Sequence, residues 1–323
     1  MALNNVLLAR LAQIGVKVET TRGDYNTPAW TDAATNDYKI LAQNIVMTIN
    51  QTRYDRDVQW GSLTKYAGIV GKQPVTLSFS VEARRTGTTS TADQWFTLLK
   101  GCGYKGTGNS VYALTSIYAD MPTLSFEVAL GGRGIGANAR GMKIKGAVGN
   151  VVWSGQVGQP LMANFTFQGV LEEVADVALL AITHETAVPP VFQGISFQYG
   201  GEAATEMALT TFTFDTGNVL AERESVNAST GCLHYVITDR RPTGTIDPDL
   251  GLEADNASDF FDHMTTNAEK QLDFDLAGVC TFTVPKARLT AITDGNRNGI
   301  LTANITYEAI HTTTDSEVTI DFD

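Results

Sequence analysis

Apolar and polar residues alternate along Leu161-Met162-Ala163-Asn164-Phe165-Thr166-Phe167, the period of a strand with one buried face. The pattern returns as Leu301-Thr302-Ala303-Asn304-Ile305-Thr306-Tyr307, with four of seven positions identical and the phase kept. At the same offset, Met142-Lys143-Ile144-Lys145-Gly146-Ala147 falls on Phe282-Thr283-Val284-Pro285-Lys286-Ala287. Upstream, the stretch from Phe79 to Thr88 matches the stretch from Tyr235 to Thr245, each carrying an Arg-Arg-Thr-Gly-Thr-like corner. Matches in a shared order predict a duplicated chain, with one unit over residues 1–180 and a second over 181–323.

Other segments fit the same scheme. Val75, Leu77, Phe79 and Val81 point one way along a strand, and Thr76, Ser78, Ser80 and Glu82 point the other. Behind a capping-box-like start at Ser90–Asp93, Trp95, Phe96, Leu98 and Leu99 form a helix face that Gly101 stops. Phe260, Phe261 and Met264 repeat it after Asn256–Asp259. Each half is thus expected to lay one helix on the apolar side of a sheet. Leu124, Phe126, Val128 and Leu130 mark a further strand, followed by a glycine-rich turn from Gly131 to Gly141. In the second half, strands are predicted at Ile195–Tyr199, Leu209–Phe214, Tyr235–Thr238, Leu272–Leu276, Phe282–Ile292, Ile300–His311 and Val318–Phe322. Leu3, Leu7, Leu8 and Leu11 fit either a short helix or an arm that orders against a neighbour.

Residues 51–73 break the pattern. Arg53, Tyr54, Asp55, Arg56 and Asp57 are followed by Trp60, Tyr66 and three glycines. The stretch lies between two strands and reads as a long hairpin. Tyr, Trp and Arg are the residues that dominate interfaces, so a contact element is one reading. A solvated loop whose Trp60 folds back on its own unit is the other.

Composition adds three points. Apolar residues make up 43% of the chain, enough for each half to bury a core. Net charge is −12, unevenly placed: residues 1–175 hold 16 Lys and Arg against 12 Asp and Glu, whereas residues 176–323 hold 7 against 23. Phosphate binding needs clustered cations, so nucleic-acid affinity of the whole chain is excluded as its main role. The asymmetry suggests instead that unlike halves meet between subunits. Cys102, Cys232 and Cys280 show no paired spacing and read as buried thiols of a reducing compartment. Met1 to Arg10 is too short and too weakly apolar for a signal peptide, and no run approaches a membrane span.

Chemistry-bearing motifs fail on their context. Gly134-Ile135-Gly136-Ala137-Asn138-Ala139 is a loose dinucleotide fingerprint, but a strand follows it and the expected acidic position is Gln159. Asp294, Asn296, Asn298 and Gly299 open like a calcium loop, yet its bidentate position is Ile305, and a hairpin turn explains them better. The four histidines have no metal spacing, and no nucleophile elbow occurs. The expectation is a structural or binding protein with no catalytic, cofactor or metal residues.

The ordered set of segments resembles a known family. It runs from Gly15-Val16-Lys17-Val18-Glu19-Thr20 through the hairpin at Asp55–Ser62 and the corner at Arg84–Thr88 to Trp95-Phe96-Thr97-Leu98-Leu99-Lys100-Gly101-Cys102-Gly103-Tyr104. Gly136–Gly141, Asp215-Thr216-Gly217-Asn218 and the stretch from Thr238 to Gly244 complete it. It is similar to the tail tube, or major tail, proteins of long, non-contractile-tailed bacteriophages, in the variety that carries two copies of the tube fold per chain.

The resemblance implies a mainly β chain: a tandem β-sandwich or barrel fold, one short helix on each half, and sheets that join between subunits into a large inner barrel. Rings of three chains would stack into a tube that conducts genomic DNA without binding it specifically. The partners implied are the protein itself, a tape-measure protein, and tail terminator and distal tail proteins, with no membrane. The place implied is the virion tail, after synthesis in the host cytoplasm. On this reading Arg53, Tyr54, Asp55, Arg56, Asp57, Trp60 and Tyr66 touch the next ring. Leu77, Phe79, Phe165, Phe167, Leu301, Ile305 and Tyr307 pack under the helices. Thr76, Ser78, Glu82, Asn164, Thr166, Gln168, Asn304, Thr306 and Glu308 face the lumen. The competing reading is a free-standing carbohydrate-binding or adhesin-like β-sandwich pair that uses Trp30, Trp60 and Tyr66.

Overall fold

The computed structural model describes residues 7–28, 37–85, 95–108, 110–132, 138–179, 187–200, 202–203, 208–250, 260–276 and 279–322. Trp30, the Thr86–Thr88 part of the first corner, both expected helix starts and residues 133–137 lie outside them.

The first half runs β1 (Gln13–Val18), β2 (Asp37–Ile40), β3 (Gln43–Ile49), β4 (Arg53–Tyr54), β5 (Ile69–Val70), β6 (Pro74–Glu82), α1 (Phe96–Gly101), β7 (Tyr104–Thr107), β8 (Val111–Leu114), β9 (Leu124–Leu130), β10 (Asn138–Gln156) and β11 (Met162–Ala178). The second runs β12 (Ser196–Tyr199), β13 (Glu202–Ala203), β14 (Thr211–Asp215), β15 (Asn218–Glu224), β16 (Cys232–Arg240), β17 (Thr243–Ile246), α2 (Phe260–Thr265), β18 (Glu269–Leu276), β19 (Cys280–Arg297), β20 (Ile300–Ala309) and β21 (Thr319–Asp321). The protein is mainly β, as its alternation predicts. Residues 7–11 form no helix; Leu8 bridges to Gly132 of the same chain.

Every pairing is antiparallel, and the pairings repeat. In the first half β10 and β11 form a long hairpin; β6 and then β3 add to β11, while β9, β1 and β2 add in turn to β10. In the second half β19 and β20 form the hairpin; β17 and β14 add to β20, while β18, β12 and β13 add to β19. Both hairpins slip register at a similar level, between Lys145 and Val148 and between Leu289 and Ala291. Such bulges bend a strand, which lets one long strand serve two directions of sheet. Gly146 takes up the bend with φ +60, and a Cβ there would lie 2.7 Å from that of His234.

One sequence match marks no equivalence. Phe79 lies in β6, whereas Tyr235 lies in β16, which pairs only with β15. The counterpart of β6 is β17, on the far side of the second Arg-Arg pair. The corner similarity is local, and pairing decides position.

The halves are fused edge to edge. The end of β10 pairs with β14, from Val152↔Asp215 to Gln156↔Thr211. Eight strands therefore lie side by side in the order β3-β6-β11-β10-β14-β17-β20-β19. Near the C-terminus, β21 pairs with β19 and with β8, tying the halves together again. Followed strand by strand, the described pairings branch but never return to their starting strand. The sheet curls around its core; among the described pairings the eight-strand run is open along β3 and along β19 beyond Arg288, and β2, β7 and β13 are further edge strands.

The core is continuous across both halves. Phe79, Phe126, Phe165 and Phe167 stack in the first, and Phe212, Phe274 and Phe282 in the second. Trp95, Trp153 and Phe322 join them. In α1, Phe96, Leu98 and Leu99 are buried, as expected; in α2, Phe260 is buried but Phe261 is 40% exposed.

Glu19 is a buried carboxylate that pins this frame. It accepts hydrogen bonds from Thr123 Oγ1 (2.5 Å), Ser125 Oγ (2.9 Å) and the backbone N–H groups of Gly23 and Gly146 (both 2.6 Å). Burial pushes its pKa above the ordinary carboxylate value, against the pull of those bonds. A raised folded-state pKa means that the folded chain holds the proton more tightly than the unfolded one. The stability from this group is therefore complete below the unfolded pKa and is lost as pH rises through the folded pKa. Glu19→Gln should flatten the fall in melting temperature that begins at about pH 4. Melting curves from acidic to neutral pH check this; an unchanged pH profile would remove Glu19 as its source.

Candidate assembly surface

The expected polar face exists as one continuous surface. Cross-strand partners share a face, so the register traces rows across the eight strands. One row runs Ser80, Asn164, Val152, Asp215, Thr243, Glu308 and Arg288. The next runs Glu82, Met162, Ser154, Thr213, Thr245, Thr306 and Ala291. Thr76 pairs with Gln168, Ser78 with Thr166, and Asn304 with Thr293 on the same face. All nine residues assigned to that face thus lie on it.

Small polar groups there satisfy one another. Ser80 Oγ donates to Asn164 Oδ1 at 2.7 Å, and Asn164 Nδ2 donates to Ser154 Oγ at 2.9 Å. The Thr213 and Thr245 hydroxyls lie 2.6 Å apart. Gln43 Nε2 donates to Glu82 at 2.6 Å, Asn150 Nδ2 donates to Asp215 at 2.6 Å, and Arg288 pairs with Glu308. The charged groups in the two rows are Glu82, Asp215, Glu308 and Arg288, and the one cation is held by a carboxylate. Such a face offers a polyanion little to grip.

The opposite face is the core side, with one correction. Leu77, Phe79, Phe165, Phe167, Ile305 and Tyr307 are buried, but Leu301 is 54% exposed. Its counterpart Leu161 is 0% exposed. The difference follows from position. Val151, Trp153, Leu161, Phe212 and Phe214 sit at the seam between the halves, and each is 0% exposed. Their counterparts stand at the open margins. On β3, Ile45 and Met47 take the places of Phe212 and Phe214 and are only partly buried; on β19, Ile292 takes the place of Val151.

Two hairpins occupy equivalent links, β4–β5 between β3 and β6, and β15–β16 between β14 and β17. They differ in surroundings. The second folds onto the first half, where Cys232 and Tyr235, flanked by Leu220 and Ile237, pack on Val148 and Val170. Asn218 Nδ2 donates to the Cys102 and Gly149 carbonyls at 2.8 and 2.9 Å. Lys72 pairs with Glu222 at 3.2 Å and also with Glu224. Gly217 makes the entry tight, because a Cβ there would lie 2.1 Å from the Arg241 carbonyl oxygen.

The first hairpin stands in solvent. Arg53, Asp55, Arg56 and Asp57 are exposed, as is Tyr54 at 71%. Trp60 does not fold onto the body. It packs edge-on against Tyr66, with ring centroids 5.2 Å apart, and its Nε1 donates to the Thr64 carbonyl at 2.9 Å. Arg56 lies over the Tyr66 ring at 5.3 Å. The hairpin is thus internally braced and externally uncovered.

The calcium-like stretch is a two-residue hairpin turn. Asn298 and Gly299 have φ of +54 and +92 between the paired Arg297 and Ile300. The β10–β14 seam and the seat of the second hairpin were not foreseen. The alternation of Thr211, Phe212, Thr213 and Phe214 signals a strand, but nothing local names its neighbour.

A mainly β scaffold that presents one continuous polar sheet face has the form of a structural protein. The chain belongs to the phage tail tube protein family, whose description matches residues 9–309. It is accordingly a structural component of a phage tail and forms tubes by self-assembly. No curated protein matches the chain.

Proposed function

We propose that three copies close into a ring, β3 of one chain pairing with β19 of the next, and that rings stack into the tail tube with the polar face lining its lumen. The observation that carries this is the seam within the chain. There β10 meets β14, and their counterparts, β19 beyond Arg288 and β3, are paired on one side only among the described residues. Carried across the repeat, Val152↔Asp215 becomes Thr293 opposite Thr48 of the neighbour. Pairing there removes two exposed sheet edges and covers Leu301.

Eight strands from each of three chains give a barrel on the order of 40–45 Å across, an open channel rather than a packed core. Its neutral and acidic wall repels phosphate over about 8 Å and lets genomic DNA slide without specific binding. Residues 1–180 and 181–323 serve as two copies of the tube fold, and the acidic and basic halves alternate around the ring. The braced hairpin tip, with Arg56, Asp57, Trp60 and Tyr66, reaches the adjacent ring. Tape-measure, terminator and distal tail proteins engage the finished tube in the virion.

Electron microscopy of the concentrated purified protein tests the reading. Three-fold rings or tubes of that bore are expected; dispersed monomers would overturn it.

A further inference from the structure

We propose that the base of the first hairpin, through the face that carries Arg53 and Val70, seats on the second half of the neighbouring chain within the same ring. This rests on the ring reading and specifies one of its contacts. The second hairpin shows the seat. It arises from the link after β14 and lies across Val148 and Val170 of the unit beyond that edge. The first hairpin arises from the equivalent link after β3, but the unit beyond that edge belongs to another chain.

The register also names the face of the hairpin that meets the seat. Arg53 pairs with Val70 and shares its face, as Leu220 shares that of Ile237 at the matching places in the seated hairpin, whereas Tyr54 and Ile69 point the other way. On that face Val70 is 47% exposed, whereas Tyr235 in the seated hairpin is 6% exposed. The register names the receiving surface. Val148 pairs with Gln168, whose counterpart Glu308 pairs with Arg288; Val170 corresponds to Ile310. Charge is complementary, since residues 51–73 hold Arg53, Arg56, Lys65 and Lys72 against Asp55 and Asp57, and the second half is strongly acidic. The base then holds the ring while the tip is left to reach beyond it.

Cross-linking distinguishes the contacts. Full-length Val70→Cys/Ile310→Cys is treated with a short bis-maleimide after assembly, beside Thr48→Cys/Thr293→Cys as the seam control. The three native cysteines are buried, which spares them. Both pairs are expected to give covalent species that stop at three chains in denaturing gels. With residues 55–68 deleted, the Val70/Ile310 product should persist while tubes disappear. A ladder running past three chains would put the base in the next ring and overturn the proposal. So would a seam pair that closes while the Val70/Ile310 pair does not. If neither pair reacts and only monomers are seen, the ring reading fails and this contact falls with it.

Discussion

Ile49→Pro is expected to leave the monomer folded and to abolish rings. The Asn50 N–H donates to the Pro74 carbonyl, at 2.8 Å, toward β6. Backbone groups alternate sides along a strand, so Thr48 and Val46 also face β6, and Ile49 and Met47 face the open margin. At the seam within the chain, the Thr216 N–H donates to the Val151 carbonyl at 3.1 Å. Ile49 occupies the matching place on β3. Proline there deletes the donor that would reach the neighbour's Ile292, and its ring stands in the gap. Proline is tolerated on an edge strand where its missing N–H faces water, so the isolated chain loses little. A ring has three such seams. The concentration needed for assembly should rise by at least about 100-fold, or about 2.8 kcal/mol. Thr48→Pro is the contrast, because its N–H faces β6, and it should lower the melting temperature as well. Sedimentation velocity with thermal melts reads both. Rings of Ile49→Pro at the wild-type concentration would show that β3 is not a joining edge.

Much of this architecture is legible in the residues, for a physical reason. Alternation reports which face of a strand is buried, because the side-chain period is two. It therefore placed Thr76, Ser78 and Glu82 opposite Val75, Leu77 and Phe79 and put Asn164, Thr166 and Asn304 on one face. It does not report which strand lies alongside. The pairing of β10 with β14, some 60 residues apart in the chain, is a long-range choice that periodicity leaves open. The same limit explains the misplaced repeat. Phe79 and Tyr235 share a local corner but not a strand partner. The phase of Leu301 points to the core, and phase is right only where something covers the strand end; among the described residues it stays 54% exposed. The hairpin's aromatic content was readable, and its internal Trp60–Tyr66 brace was not, since ring geometry depends on how the turn folds.

Phe322→Ala should cost more stability than a similar truncation elsewhere in the core would suggest, and it should cost cooperativity too. Phe322 is 0% exposed and meets Phe96, Trp95, Tyr112 and Trp153 at centroid distances of 4.3, 5.4, 5.9 and 6.4 Å. Large-to-small changes at such sites cost about 3–5 kcal/mol. Position adds to this. Phe322 directly follows β21, whose backbone joins β8 of the first half to β19 of the second, and the Phe322 N–H donates to the Ser110 carbonyl at 3.0 Å. Loosening that strand unfastens the closing contact between halves and leaves the β10–β14 seam and the seated second hairpin to hold them. The melting temperature is expected to fall by on the order of 10 °C. Tryptophan fluorescence, which reports Trp95 and Trp153 beside the lost ring, should then change before far-ultraviolet circular dichroism does. Phe126→Ala, inside the first half, removes comparable buried area and should keep the two signals coincident. Coincident transitions in Phe322→Ala, or a melting temperature like that of the wild type, would show that β21 is an ornament on a frame already locked by its seam.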